Sequence, residues 1–315
     1  MLNNQDFALT RAQCLGGSDI GAILGLSKWR SPVDVWMEKT GRTVHSLNSL
    51  PLRFGQFAES FIASEYSLAT NAQLITHEPA IIHPQYDYLL GHIDRFVCTG
   101  PLFDDLGQLR ASKILECKTA NAFKQSEWGD TGTDQVPLPY LVQCLWYLML
   151  TNLEQADLAV LLGNTDFRIY EIHRDWELEE MLLDKAIQFW EKHVQEDRSP
   201  PAKTELDLRT LFPKSTHKQV EASAESCDLI KKLKELNHQI EHYEQEVSSI
   251  KQNIMTQMQE AETLTYQGQV LATWKSPKPS TRLDTKKLEK EHPEIIEAYQ
   301  MSVTNSRRLV IKDLS

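Results

Sequence analysis

Between residues 52 and 66 the apolar side chains Phe54, Phe57, Ala58, Phe61 and Ile62 recur at the three-and-four spacing of one helical face. The pattern predicts a helix there, with Glu59 on the flank of the stripe. Two shorter helices are predicted over 18–26 and 31–40, the first capped by Ser18 or Asp19. Two apolar runs, Leu89 to Val97 and Ile114-Leu115, flank the polar turn Asp104-Asp105-Leu106-Gly107 and read as an antiparallel hairpin with a long loop. Pro139 to Leu150 is apolar on nearly every side, the signature of a buried helix. Its polar exceptions, Tyr140, Gln143 and Tyr147, fall at i, i+3 and i+7 on one stripe, and buried amides and phenols need partners.

Beyond Pro200-Pro201 the pattern changes. Leu229, Leu233, Leu236, Ile240, Tyr243, Val247, Ile250 and Ile254 alternate spacings of four and three, the a/d seam of a coiled coil, and predict a long helix over 220–262. A hairpin about Gln267-Gly268, a helix from Thr285 to Tyr299 and a last strand from Arg307 to Lys312 are predicted to follow. The chain is therefore divided into 1–204 and an α+β appendage, 205–315. The seam pairs with another chain or packs on the rest of its own. Lys275, Lys278, Arg282, Lys286 and Lys287 surround Trp274, a grouping that fits either a solvated loop surface or a nucleic-acid backbone met by one stacking aromatic.

At 315 residues and 41% hydrophobic content the chain is long enough for a large domain with an appendage. The net charge of −11 is unevenly spread, with 16 Lys+Arg against 27 Asp+Glu in residues 1–200 and 17 against 17 after them. The acidic excess thus lies in the first part, where carboxylates for a metal would count toward it, and charge alone neither supports nor excludes nucleic acid. Five cysteines without paired spacing point to a reduced, cytoplasmic setting, and no long apolar span or leader marks a membrane.

The candidate chemistry centres on Glu116-Cys117-Lys118. On a strand, alternate side chains share a face, so Glu116 and Lys118 project together while Cys117 points away and offers its backbone carbonyl. With Asp94 on a neighbouring strand, two carboxylates, a carbonyl oxygen and an ammonium converge. That set suits Mg²⁺, which takes one or two carboxylates and keeps waters, and is equipment for phosphodiester hydrolysis. By itself Glu-x-Lys is a common triplet and most often a solvated charge pair; its position after apolar residues and opposite Asp94 is what distinguishes it.

The order Gly16-Gly17-Ser18-Asp19-Ile20, Leu24-Gly25-Leu26-Ser27, Pro32, Trp36, Phe54-Gly55-Gln56-Phe57-Ala58-Glu59, Gly91 to Arg95, Glu116 to Lys118, Pro137 to Tyr147, and Phe189-Trp190-x-x-His193-Val194 before Pro200-Pro201 resembles the YqaJ-type phage recombination nucleases. These are lambda-exonuclease-like members of the PD-(D/E)xK nuclease superfamily. The resemblance covers roughly the first two-thirds of the chain. It implies an α/β fold, a restriction-endonuclease-like core with a mixed central sheet flanked by helices. It also implies a Mg²⁺-dependent 5′-to-3′ exonuclease, with Mn²⁺ substituting, that acts on linear double-stranded DNA and leaves 3′ overhangs for a single-strand annealing protein. By the same resemblance the assembly is a homo-oligomer, a ring-shaped trimer around DNA.

The resemblance also assigns roles. Asp94, Glu116 and the Cys117 carbonyl hold metal, with Glu59 completing a second site or positioning water; Lys118 activates or orients that water. Gln143 faces the active site, and Tyr140 and Tyr147 on its stripe are possible DNA contacts. Arg11 and Ser18 go to a pocket for the terminal 5′-phosphate, joined by Gln143. On residues alone, Ser18 is as well an ordinary helix cap and Arg11 unrelated to it. Leu52 and Arg53 correspond to residues that meet the DNA end, although core packing explains Leu52 equally. Two rival readings remain: a structure-specific or restriction-type endonuclease on the same core, and a catalytically silent DNA-binding or scaffolding protein, against which the intact Asp94, Glu116 and Lys118 argue.

Overall fold

The computed structural model describes residues 12–43, 49–281, 283–299 and 307–312. Arg11 and Arg282, both singled out from the sequence, lie outside the described residues. The chain divides into two compact units, Met1–Leu211 and Phe212–Ser315.

In the first unit a mixed sheet is built from β1 (Leu74–Ile75), β4 (Arg95–Val97), β5 (Lys113–Ala120), β6 (Gln155–Leu162) and β7 (Asp166–His173), in the spatial order β1-β4-β5-β6-β7. Two short strands, β2 (Ile81–Ile82) and β3 (Leu90–Gly91), pair with each other alongside. Every pairing in the sheet is antiparallel except β5 with β6, whose register runs from Ile114 opposite Ala156 to Ala120 opposite Leu162. A parallel pair needs a crossover.

The helices of this unit are α1 (Gly17–Ile23), α2 (Pro32–Lys39), α3 (Leu50–Thr70), α4 (Leu138–Thr151), α5 (Trp176–Phe189) and α6 (Glu205–Leu211). α4 is the crossover, and it is the near-continuously apolar segment because sheet and helices enclose it. Strand alternation divides the core in two. Ile114, Leu158, Val160 and Ile172 pack with Leu145 and Trp146 of α4. Leu115, Cys117 and Ala159 on the other face lie under Ala58, Ile62, Ala63 and Tyr66 of α3. Asp157, buried on that second face, is satisfied by the Tyr66 hydroxyl at 2.5 Å and by Lys113.

α3 departs from its single apolar stripe. Ala58, Ile62 and Tyr66 turn inward, and the small Ala58 and Ala63 let the helix sit close to the sheet, while Phe54, Phe57 and Phe61 are 47%, 78% and 51% exposed. α1 is also capped differently from expectation. It starts at Gly17, and the carboxylate of Asp19, inside the first turn, accepts the Gly16 N–H at 3.0 Å, so neither Ser18 nor Asp19 is the cap residue itself. Asp19 also takes Arg30 and Lys39 as ion partners. The Trp36 indole N–H donates to the His193 carbonyl at 3.0 Å, in the π-helical turn Trp190–Gln195 that continues α5, and Trp190 stacks on Tyr88 with ring centroids 4.8 Å apart. Those aromatic motif residues hold the unit together.

The second unit contains α7 (Ala224–Met258), whose N-cap Ser223 hydroxyl accepts from Ser226 N–H. A hairpin follows, β8 (Thr263–Tyr266) with β9 (Gln269–Thr273), its turn residues Gln267 and Gly268 at φ 48° and 80°. Both positive angles suit the two-residue turn that matches strand twist. The helix expected from Thr285 to Tyr299 is two, α8 (Thr285–Glu291) and α9 (Pro293–Tyr299), because Pro293 lacks the N–H that continuation requires and opens a new helix instead. Residues 307–312 form no strand, contrary to expectation. Around Trp274, Lys275 pairs with Glu262 at 3.8 Å and Lys287 with Glu291 at 4.0 Å.

Among the described residues no helix is long and apolar enough to cross a membrane. Cys14, Cys98, Cys117 and Cys144 are buried free thiols, and Cys227 on α7 is an exposed one.

Candidate functional site

The site forms where β4 stops pairing with β5. Their register ends at Arg95 opposite Leu115, so residue 94 is free to bend across the edge of β5. The Asp94 carboxylate accepts the Cys117 N–H at 2.8 Å in place of the next ladder bond. A strand residue's N–H and C=O leave by the same edge, so the Cys117 carbonyl faces that edge as well. Its thiol goes the other way, under α3.

Glu116 and Lys118 share the opposite face, as alternation requires, and are ion-paired to each other. Glu116 is 2% exposed. Its Oε1 accepts from Lys118 Nζ and from Gln143 Nε2, the latter at 2.7 Å. Its Oε2 is buried with no hydrogen-bond partner, a state that costs on the order of 1–3 kcal/mol or more for a charged group. Burial raises the Glu116 pKa above the ordinary carboxylate range, and burial followed by the charge of Glu116 pushes Asp94 well above it. Burial works against the Lys118 ammonium, but Glu116 and Asp94 outweigh it, and the lysine pKa is raised.

This donor set fits a divalent cation. Two carboxylates on adjacent strands, one with a vacant buried oxygen, and a carbonyl on the same edge are hard oxygen ligands of the type Mg²⁺ takes, with water filling the rest. Among the described residues no group of three or more His, Cys, Asp or Glu side chains is placed to hold a metal. Glu59, on α3, pairs with Arg95, its Oε1 accepting from the guanidinium at 2.6 Å, and the same guanidinium donates to the Asp94 carbonyl. Arg95 is the site residue that sequence reasoning left without a role. It lay within the quoted motif, but nothing in the spacing of α3 and β4 shows that the two would meet.

The polar stripe of α4 reaches this site. Gln143 donates both to Glu116 and to the Tyr147 hydroxyl, at 3.0 Å. An amide NH₂ has two donors, so both are engaged, and contact with a phosphate requires one to be released. The Lys118 ammonium lies 5.5 Å from the centroid of the Tyr140 ring, which stacks on Trp128 at 5.5 Å. Tyr147 itself is buried rather than presented to a ligand. Two glycines make room for its ring. A Cβ at Gly17 would meet Tyr147 Cε1 at 2.7 Å and Gln143 Cγ at 3.1 Å, and one at Gly91 would meet Tyr147 Cδ1 at 2.8 Å. Both glycines belong to sequence motifs noted above, and their signal is the absence of a side chain.

Ser18, exposed in the first turn of α1, follows Gly17, the residue that packs on Gln143 and Tyr147. Leu52 and Arg53 lie in the first turn of α3, both exposed, about two turns before Glu59. That exposure removes the core-packing explanation of Leu52.

The YqaJ-like viral recombinase domain matches residues 6–154, a span that contains every one of these side chains. Solved structures with a partial likeness are an alkaline exonuclease (LHK-Exo) from Laribacter hongkongensis (TM-score 0.48, 14% identity, 61% of this chain and 94% of that one) and a phage related exonuclease from Haemophilus somnus 129PT (TM-score 0.39, 12% identity, 59% and 96%). In sequence, the uncharacterized protein YqaJ of Bacillus subtilis (strain 168) is 30% identical over 322 residues, covering 100% of this chain and 96% of its relative, so the likeness runs through the second unit too. With the domain match spanning the site and this relative spanning the whole length, the chain belongs to the YqaJ-like viral recombinase family.

Proposed function

We propose that the protein is a Mg²⁺-dependent exonuclease that degrades linear double-stranded DNA from 5′ to 3′ and leaves 3′ overhangs for a single-strand annealing partner. The observation that carries the reading is the buried, unpartnered Oε2 of Glu116 beside Asp94. Two carboxyls both pushed up by burial, Asp94 also by the charge of Glu116, form a poor resting state without a cation and a good one with it. Asp94, Glu116 and the Cys117 carbonyl would hold the metal, on a sheet-and-helix arrangement that fits the PD-(D/E)xK core, and Mn²⁺ would substitute. A divalent cation there supplies charge to the scissile phosphate and acidifies bound water.

The chain's own residues do the rest. Lys118, kept as an ammonium, orients the attacking water and neutralises charge that develops on the phosphate. Gln143 fixes the rotamer of Glu116, and Tyr147 fixes Gln143. Arg95 holds Glu59 at the border of the site, from which Glu59 joins a second metal or positions water once the pair separates. Arg11 and Ser18 supply donors for a terminal 5′-phosphate, and Leu52 and Arg53, exposed at the start of α3, meet the DNA end. A ring-shaped homo-oligomer would keep the enzyme on its substrate.

The test is digestion of linear duplexes that differ only in their 5′ ends, with a covalently closed circle as control. Expected are Mg²⁺-dependent degradation of the 5′-phosphate duplex, roughly 10- to 100-fold slower degradation of the 5′-hydroxyl form, loss of that preference in Arg11→Ala, and an intact circle. Glu116→Ala and Lys118→Ala should each lose about 10²- to 10³-fold in rate. Cleavage of the circle would make the protein an endonuclease, and equal rates on both ends would remove the phosphate pocket.

A further inference from the structure

α7 is 35 residues long, and only Met258 at its end is buried. Within the second unit its apolar seam has no cover: the seven seam residues from Leu229 to Ile250 are 37–62% exposed. A monomer gains nothing from a row of leucine and isoleucine held in water over about 37 Å of helix.

In heptad register, the a positions are Leu233, Ile240, Val247 and Ile254, and the d positions are Leu229, Leu236, Tyr243 and Ile250. Three of the four a residues are β-branched, and leucine occupies two of the d sites, the combination that favours two parallel strands. Charge agrees with that choice. Glu246 at g lies opposite Lys251 at the following e position of a parallel partner, giving two symmetric attractive pairs. The antiparallel alignment that places a opposite d along the whole seam, Leu229 against Ile254 through Ile240 against Tyr243, instead faces Glu244 with Asn237 and Glu246 with Gln239 and forms no ion pair.

The surface also has the required relief. Ile240, Tyr243, Glu244 and Val247 line a concavity on the helix, with Ser248 and Lys251 at its rim. Those four occupy positions a, d, e and the next a, the quartet that receives a facing side chain in knobs-into-holes packing. We propose that α7 pairs in parallel and in register with α7 of a second copy of this chain. The contact joins nuclease units through the second unit, independently of any ring those units form themselves.

Sedimentation equilibrium of the full chain tests this. The wild-type assembly should have twice the mass of Ile240→Glu/Val247→Glu, whose helicity by circular dichroism stays at the wild-type level because the seam is a surface in the single chain. Glu246→Lys should weaken association on the order of tenfold, since two exposed pairs turn from attraction to repulsion, and adding Lys251→Glu should restore it. A wild type of single-chain mass, or equal masses for wild type and the seam variant, overturns the pairing. Rescue of Glu246→Lys by Gln239→Glu instead of Lys251→Glu overturns the parallel arrangement.

Discussion

Replacing Gly91 by alanine tests whether the site rests on the space around Tyr147. The new Cβ would sit 2.8 Å from Tyr147 Cδ1 and 2.9 Å from Leu150 Cδ1. An unstrained carbon–carbon contact needs about 3.5 Å, so the ring must retreat by roughly 0.6–0.7 Å. Gly17 approaches the same edge of the ring, where a Cβ would meet Cε1 at 2.7 Å, so the ring is closely bounded there too. Overpacking of this kind costs about 1–3 kcal/mol. Against it stands the entropy removed from the unfolded chain, worth about 0.4–1 kcal/mol in favour of alanine. Over most of these ranges the steric cost wins, with a net loss of up to roughly 2.6 kcal/mol. At about 2–4 °C per kcal/mol for a unit of this size, the melting temperature should fall by up to roughly 10 °C. Displacement of the ring carries Gln143 with it, and Glu116 loses its support, so hydrolysis measured well below the melting temperature should drop about tenfold or more. The decisive assay is a double-mutant cycle in thermal unfolding. In a Tyr147→Ala background the ring clash is gone and only the Leu150 contact is left, so the same substitution should cost less, with a coupling above about 0.5 kcal/mol. Strict additivity of the two changes would refute the packing account.

The raised pKa of Asp94, caused first by burial and then by Glu116, makes the metal-free protein's stability depend on pH. Folded-state pKa above the unfolded value of about 3.9 means the contribution is complete below that pH and lost as pH rises through the folded value. Melting without metal should therefore fall with rising pH in that window, and the increment on adding Mg²⁺ should grow with pH; an increment independent of pH, or undiminished in Asp94→Asn, would oppose metal binding there. Truncation should distinguish the boundary expected from sequence from the one observed. A chain ending at Leu211 should melt close to the full protein's first unit and keep Mg²⁺-dependent cleavage. One ending at residue 204 loses α6 and the Asp207 carboxylate that accepts from Lys203 N–H at 2.8 Å, and should be less stable by about 1 kcal/mol or more; equal stability of the two would place the boundary before α6.

What the sequence made readable was set by period. Alternation placed Glu116 and Lys118 on one face, and the stripe on α4 placed Gln143 beside them, because both relations are local. Asp94 followed from the hairpin, a contact between neighbouring runs. What stayed hidden depends on distant elements. The Glu59–Arg95 pair needs the crossing of α3 over β4, and the role of Gly17 and Gly91 needs the ring of Tyr147 packed against both. Phe54, Phe57 and Phe61 have the spacing of a buried face, and spacing cannot tell which of two adjacent stripes the sheet will take. Pro293 was different. Its break of the last helix followed from a missing N–H that the periodic pattern alone passes over.

The distribution of the five thiols has a practical consequence for chemical labelling. Cys117 lies on the strand that bears the acids, yet burial and then the neighbouring Asp94 and Glu116 charges push its thiol far up, and Cys144 is raised in the same way. Neither forms the thiolate that a maleimide attacks. Cys98 and Cys14 are enclosed as well, which leaves Cys227, exposed near the start of α7, as the one accessible thiol among the described residues. It occupies the b position of its heptad, pointing away from the seam. A single dye or spin label can therefore be attached without mutating any residue, and two such labels would sit on the same end of a parallel pair but at opposite ends of an antiparallel one.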